Sequence, residues 1–242
     1  MSEALHHAGD AVRAGVESVG ETLAEVKPRL RGWIHLGIAP LALVGGIVLI
    51  ALSPTATTRI GSALFAVSAL LLFGVSALYH TGTWSPRVWT FLRRFDHANI
   101  FLLIAGSYTP ITLILLDGTQ QVVLLSVVWS GAILGVLFRV FWVGAPRWLY
   151  TPIYIALGWA AVFFLPAFYE GATDLGFGIG ITTFVLIVTG GALYTFGGLV
   201  YGFRRPDPWP TWCGFHEVFH SFTVLAFITH YVGVSLATYS LR

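Results

Sequence analysis

Long apolar stretches alternate along the chain with short polar connections, and the pattern repeats seven times. Each stretch is close to the roughly 20 residues that a helix needs to cross a hydrocarbon core of about 30 Å. The connections contain proline, glycine or charged residues, as turns between helices do. The predicted spans are 33–52, 60–80, 96–116, 121–141, 149–168, 177–201 and 214–237. The sequence therefore predicts an all-α, polytopic membrane protein, a bundle of seven transmembrane helices.

The composition agrees with this prediction and excludes other classes of protein. Of the 242 residues, 56% are hydrophobic and 10% are charged, whereas a soluble domain carries about 25% charged residues. Cys213 is the one cysteine, so the chain can form neither an intramolecular disulfide nor a cluster of thiolate metal ligands. Residues 1–31 lack an apolar core and contain five acidic residues, so we expect no cleavable signal peptide there.

Lysine and arginine are unequally distributed between the two ends of the predicted bundle. Seven helices put the two termini on opposite sides of the membrane. Eleven basic residues fall on the N-terminal side, and two, Arg59 and Arg242, fall on the other. We expect a multi-pass protein of the cell membrane. Because cytoplasmic loops carry an excess of lysine and arginine, its N-terminus is expected to be cytoplasmic and its C-terminus extracytoplasmic.

Residues 1–31 form a segment of their own ahead of the predicted transmembrane domain, residues 32–242. Five apolar residues of this segment recur every three or four positions: Val12, Val16, Val19, Leu23 and Val26. This is the period of an amphipathic helix, which can lie on the cytoplasmic membrane surface or against a partner. The alternative is a partly ordered tail.

A few ionisable residues lie within or beside the predicted spans, where charge is costly and usually functional. The acidic ones are Asp96, which begins the third span, and Glu217, which begins the seventh. Six histidines lie beyond the N-terminal segment: His35, His80, His97, His216, His220 and His230.

Four of these residues, from three distant parts of the sequence, are predicted to meet at the cytoplasmic ends of the helices. His80 ends the second span, Asp96 begins the third, and His216 and His220 begin the seventh. Because His216 and His220 are four residues apart, both project from one face of a helix. They can bind one zinc ion, His80 can supply a third ligand, and water can complete the tetrahedron. Zinc is favoured because the ligands are imidazoles without a thiolate.

Two further residues fit a catalytic site of this kind. Asp96 is expected to hydrogen-bond the zinc-bound water and to accept its proton. Ser76 lies one turn deeper than His80 on the same helix face, where its hydroxyl can orient Asp96 or the water. Histidines near membrane ends can also simply bond a carbonyl or face headgroup water. The agreement in depth favours the metal site over that alternative.

The residues HEVFH at 216–220 match the H-E-x-x-H pattern of zinc proteases, in which the glutamate is the general base. A carboxylate at a helix N-terminus is also stabilised by the helix dipole. The pattern is short, so Glu217 can be either a base or a capping residue.

Four segments of the chain resemble the haemolysin III family: KPRLRGWIH at 27–35, SALYH at 76–80, RRFDHANIFLLIAGSYTP at 93–110 and FHEVFHSF at 215–222. This family belongs with the progestin and adipoQ receptors and, more distantly, with the alkaline ceramidases. The resemblance implies a seven-helix bundle with a cytoplasmic N-terminus and a zinc site near the cytoplasmic face. The implied site residues are the ligands His80, His216 and His220, the water-holding Asp96, and Ser76. It also implies that Glu217 is incidental, since that position varies among relatives.

We therefore expect a zinc-dependent integral membrane hydrolase that acts on a lipid, at an amide bond such as that of a ceramide. One alternative is a non-enzymatic, receptor-like or lipid-sensing protein with structural zinc. Another is a cytolytic protein, as the family's name implies, although the predicted helices carry no polar stripe to line a channel. A membrane lipid is the expected substrate or ligand, and no nucleic-acid partner is expected. The sequence leaves the oligomeric state and the identity of the lipid open.

Overall fold

The computed structural model describes residues 28–142 and 144–242, so the predicted amphipathic helix, which falls in residues 1–27, lies outside the described residues. The described part of the chain is built of helices and contains no β-strand. Its elements are α1 (Trp33–Leu52), α2 (Ala56–Thr81), α3 (Pro86–Leu115), α4 (Gly118–Phe141), α5 (Arg147–Gly158), a 3₁₀-helix (Trp159–Phe164), α6 (Leu165–Thr173), α7 (Phe177–Phe203) and α8 (Phe215–Tyr239). These make seven helical spans long and apolar enough to cross a membrane, with α5 to α6 forming the fifth. The predicted all-α, seven-helix architecture is confirmed.

The third span differs most from its predicted limits. Its helix begins at Pro86, ten residues before the predicted start at residue 96. Proline is well suited to the first turn of a helix, because its missing N–H has no intrahelical partner there in any case. The helix then continues through residues 87–95, which include three arginines. The hydropathy of the sequence indicates only the part of a helix that can lie in hydrocarbon. The helix itself can extend past the apolar stretch, because its backbone hydrogen bonds do not depend on apolar side chains.

The fifth span contains a change of helix type that the sequence did not predict. The α-helix ends at Gly158, a 3₁₀-helix follows, and α-helix resumes at Leu165. Such a change disturbs backbone pairing, which is costly in hydrocarbon unless another group compensates. The Tyr108 hydroxyl, from α3, does so: it donates to the Gly158 carbonyl at 2.6 Å and accepts from the Ala161 N–H at 2.8 Å. A side chain of the third span therefore satisfies backbone groups at the change of helix type in the fifth span.

The spans pack mostly in chain order, and α8 closes the bundle against α1, α2 and α3. The outward surface is strongly apolar, with Leu41 65%, Phe163 86% and Phe177 80% exposed, as expected of side chains that face lipid. The interior holds an apolar core, but it also buries several polar and ionisable side chains. Among the ionisable ones are His35, His80, Asp96 and His220, which come from α1, α2, α3 and α8. The fold is a multi-pass membrane protein with a polar site inside an apolar bundle.

Candidate metal centre

Three histidines from two helices converge at one end of the bundle. His80 lies in the last turn of α2, and His216 and His220 lie in the first turns of α8. One ring nitrogen of each lies within 4.8 Å of those of the other two. Each ring also has a buried nitrogen with no hydrogen-bond partner among the described residues. Unpaired buried polar atoms are costly, and one shared cation would satisfy all three. The buried triad can therefore bind a metal ion.

The chain that enters α1 packs directly against this triad. Gly32, which precedes α1, has a φ of 86°, in the left-handed region that glycine adopts without steric cost. A Cβ at this position would lie 2.6 Å from the Cβ of His80. A larger residue here would have to displace the last turn of α2. Gly32 thus allows the backbone before α1 to approach a candidate ligand closely.

Hydrogen bonds tie the same entry segment to the loop before α8. The backbone N–H groups of Arg29 and Leu30 donate to the carbonyls of Thr211 and Trp212, both at 3.1 Å. The Arg29 guanidinium lies over the Trp212 ring at 4.7 Å. Residues 28–31, which the sequence places in the N-terminal segment, therefore contact the bundle. The boundary between residues 31 and 32 remains a prediction.

Glu217 takes part in helix capping and in an ion pair. Its Oε2 accepts a hydrogen bond from the Gly214 N–H at 2.8 Å, at the start of α8. Its Oε1 accepts from Nε of Arg31, and the glutamate side chain has no exposed surface. Both carboxylate oxygens are therefore occupied by donors that hold α8 and the entry segment together. Of the two roles considered for Glu217, this geometry fits the capping role.

Asp96 and Ser76 lie beside the triad. The Asp96 Oδ2 atom is 3.7 Å from Nε2 of His80 and 3.8 Å from Nδ1 of His97. These separations are too long for direct hydrogen bonds, so Asp96 contacts both rings without being paired to either. Ser76 is 1% exposed, and its hydroxyl lacks a partner among the residues that the structure describes. The structure thus brings together all five residues that the sequence singled out.

The remaining three histidines differ in their surroundings. The Nδ1 atom of His97 lies 2.7 Å from the Arg93 carbonyl, within its own helix. The Nε2 atom of His230 lies 3.2 Å from the Ile187 carbonyl. His35, on α1, is 2% exposed and finds no partner for either ring nitrogen in the described parts of the chain.

The ring of His35 is stacked on the ring of His220, with centroids 3.8 Å apart and planes 14° apart. An imidazole lone pair lies in the plane of its ring, and a zinc–nitrogen bond is about 2.0–2.1 Å long. Two nearly parallel planes this far apart cannot both direct a lone pair at one ion. His35 therefore supports the face of His220 rather than joining the same ligand set.

A group of aromatic and basic side chains beside the site was not predicted from the sequence. The Tyr201 ring lies 5.7 Å from that of His216, and its hydroxyl is 3.1 Å from that of Tyr150. Arg139, near the end of α4, is 1% exposed, and its guanidinium lies 4.3 Å from the Tyr150 ring centroid. Tyrosines are common in membrane helices, so their spacing carries no signal. In the sequence, Arg139 stands out only as one of the basic residues of the cytoplasmic side.

A cavity of ≈ 150 Å³ runs from the triad into the bundle. About 10–15 Å³ is enough to hold one water molecule, so the cavity can admit much more than a single water. Its wall includes Ser76, Asp96, His216 and His220 at one end and largely apolar side chains of α3, the fifth span and α7 elsewhere. The site is therefore polar at the triad and apolar beyond it.

Comparisons with known proteins agree with this architecture. A family model described as haemolysin-III related matches residues 23–231. The chain is 32% identical over 203 residues to the hemolysin-3 homolog of Bacillus subtilis (strain 168), over 82% of this chain and 89% of the relative. It is 31% identical over 180 residues to hemolysin-3 of Bacillus cereus, over 73% and 78% of the two chains.

A more distant relative is the adiponectin receptor protein of Drosophila melanogaster, which is 27% identical over 222 residues. That match covers 84% of this chain and 49% of the receptor. The family model spans most of the sequence and covers α2, α3 and residues 215–231 of α8, which carry the candidate site. The chain belongs to the haemolysin III-related family, as its motifs predicted.

Proposed function

We propose that this membrane protein is a zinc-dependent hydrolase that cleaves an amide bond of a lipid, of the kind found in ceramides. The observation that carries the proposal is the convergence of three imidazole nitrogens within 4.8 Å of one another. Each ring has a buried nitrogen without a described partner, and an all-imidazole ligand set favours zinc. The basic residues concentrated on the N-terminal side support a site near the cytoplasmic face.

His80, His216 and His220 would hold the zinc ion. Zinc, when bound, polarises a carbonyl and makes a water molecule acidic enough to react near neutral pH. Three protein ligands are typical of catalytic zinc sites, whereas structural sites use four. The three-histidine set therefore favours a catalytic over a structural ion.

Asp96 is the proposed general base. Its carboxylate lies 3.7 Å from Nε2 of His80, close enough to the triad to hydrogen-bond a water held there. Asp96 takes a proton from this water as the water oxygen forms a bond to the amide carbon. The aspartic acid then returns the proton to the nitrogen as the carbon–nitrogen bond breaks, and the products are a carboxylic acid and an amine. Ser76 is close by in the cavity wall, and its unpaired hydroxyl can orient either the Asp96 carboxylate or this water.

The apolar cavity would hold the acyl chain of the substrate. Its wall beyond the triad is formed largely by apolar side chains such as Leu103, Ile111 and Phe168. Such a wall is as apolar as the lipid that the chain would leave, so a chain can occupy the cavity without a desolvation cost while the polar triad receives the amide. An acyl chain already dissolved in the bilayer can enter between helices without crossing water.

The decisive experiment measures zinc content and ceramide hydrolysis on the same purified protein in lipid vesicles. Asp96→Asn preserves the shape of the side chain but cannot accept a proton. A general base contributes about 10²–10⁴-fold in rate, so turnover should fall by that factor while zinc stays bound. His80→Ala should lose both zinc and turnover. Normal turnover in zinc-loaded Asp96→Asn would refute the catalytic assignment.

A second candidate is a lipid-sensing protein in which zinc is structural, and the similarity to an adiponectin receptor supports it. This hypothesis predicts that Asp96→Asn leaves lipid composition unchanged and that metal-free variants fail only through lost stability. The names of the two Bacillus relatives support a third, cytolytic function. Release of haemoglobin from erythrocytes by the purified protein tests that function directly.

A further inference from the structure

A second pair of polar side chains lies in the cavity wall, remote from the triad. His230 on α8 and Tyr194 on α7 both line the cavity. Their rings meet edge to face, with centroids 5.5 Å apart. His230 is ten residues beyond His220 on the same helix, which places it about 15 Å further along the helix axis. The pair therefore lies deep within the span, where polar residues are usually functional.

The hydrogen bond of His230 determines what its other nitrogen can do. Its Nε2 atom lies 3.2 Å from the Ile187 carbonyl oxygen, which only accepts, so Nε2 carries the proton. Nδ1 of the neutral ring is then an acceptor. Nδ1 is buried without a partner among the described residues, and so is the hydroxyl of Tyr194. Nδ1 of His230 is thus an unpaired acceptor and the Tyr194 hydroxyl an unpaired donor. A hydroxyl group of a ligand can donate to the first and accept from the second.

The backbone of α7 is shaped to accommodate the His230 ring. A Cβ at Gly190 would collide with Cδ2 and Nε2 of His230, so an alanine there would displace the imidazole. By contrast, a Cβ at Gly178, on the same helix, would have no neighbour within 4 Å. The imidazole therefore occupies a space that Gly190 keeps open.

Other hydroxyls of the cavity wall are either satisfied or lie at its metal end, as that of Ser76 does. Three of them donate to carbonyls of their own helices: Ser107, Thr195 and Thr223. Thr151 and Tyr154 have unpaired hydroxyls, but they lie in the first turns of α5, where the adjacent Tyr150 contacts His97 beside Asp96. They belong to the metal end of the cavity. His230 and Tyr194 form a separate polar position at depth.

We propose that His230 and Tyr194 bind a hydroxyl group on the chain of a lipid that occupies the cavity. The separation of about 15 Å from the triad corresponds to roughly a dozen carbons of an extended acyl chain. A chain without the hydroxyl would leave both polar atoms unpaired, which sites built for hydrogen bonding discriminate against. The position along the chain rests on the proposed function, because that function places the lipid amide at the triad. The recognition of a hydroxyl does not depend on hydrolysis.

The test is equilibrium binding of two neutral amides, 12-hydroxystearamide and stearamide, to the zinc-loaded Asp96→Asn protein in detergent, measured by native mass spectrometry. The Asp96→Asn background is used because it keeps zinc and slows cleavage of the amides. We expect the hydroxylated amide to bind about tenfold more tightly, the effect of one good hydrogen bond. Tyr194→Phe removes only the hydroxyl, and Gly190→Ala displaces His230, so each should reduce this preference. Tyr169→Phe and Gly178→Ala are matched controls, since Tyr169 is an exposed residue with no place in the cavity wall, and both should keep the preference.

Equal affinity of the Asp96→Asn protein for the two amides would overturn the inference, as would an undiminished preference when Tyr194→Phe is added to it. 2-Hydroxystearamide, whose hydroxyl would lie at the triad, should gain nothing from Tyr194; a loss of its affinity in Tyr194→Phe would contradict the proposed position. Failure of the hydrolase proposal has a different signature. In that case the protein with Asp96 intact cleaves no amide, but the preference for 12-hydroxystearamide and its dependence on Tyr194 persist.

Discussion

The imidazole of His35 lies face to face with that of His220, at a centroid distance of 3.8 Å. His35 comes from the first helix and His220 from the seventh span, so the contact joins two ends of the chain. His35 also meets Phe73 in an edge-to-face arrangement, with centroids 5.1 Å apart. These contacts restrict the orientation of the His220 ring. Groups that orient a ligand in this way typically change metal affinity about 10–100-fold.

We predict that the flat ring of His35, rather than its nitrogens, supports the metal centre. His35→Ala removes the stacked face and should weaken zinc affinity about tenfold, as measured by competition with a chelator. His35→Phe keeps an aromatic face against His220 and should restore most of the affinity. Equal losses in the two variants would instead assign the role to a ring nitrogen.

Zinc content should depend on the pair at the start of α8. His216→Ala and His220→Ala each remove one of three proposed ligands, and we expect most of the zinc, about one ion per chain in the wild type, to be lost. His230→Phe is the control, because position 230 lies about 15 Å further along the helix. Elemental analysis of the purified variants makes the comparison. Full zinc in the double variant of His216 and His220 would show that the ligands lie elsewhere.

Glu217 should stabilise the fold without holding the metal. Its carboxylate is buried, caps α8 and pairs with Arg31. Removing one partner of a buried ion pair costs about 3–5 kcal/mol, so Glu217→Ala should unfold at a clearly lower temperature. Arg31→Ala should have a similar effect, and the double variant should lose less than the sum. Each folded variant should retain its zinc. A Glu217→Gln protein of normal stability that lost hydrolysis would instead identify a general base.

The orientation in the membrane follows from the eleven-to-two distribution of basic residues and remains a prediction. A reporter active only outside the cytoplasm should be active when fused after Arg242. The same reporter fused after Arg205, in the loop between the sixth and seventh spans, should be inactive. The opposite pattern would place the metal centre near the outer face of the membrane.

The sequence by itself determined the seven spans and the five residues that meet at one end. Span length and hydropathy are local properties, and the bilayer imposes a minimum length on every helix that crosses it. The spacing of His216 and His220 is also local, because residues four apart share a helix face. Helix direction then put His80 and Asp96 at the same depth as this pair.

Only the tertiary structure decided which side chains touch across helices. The stacking of His35 on His220, the pairing of Arg31 with Glu217 and the space that Gly190 leaves for His230 each join distant segments. Such contacts depend on how each helix is rotated about its axis and where it crosses its neighbours. Hydropathy carries little of this information, since most faces of these helices are apolar. The end of the bundle at which these residues lie could therefore be predicted from sequence, whereas these contacts across helices could not.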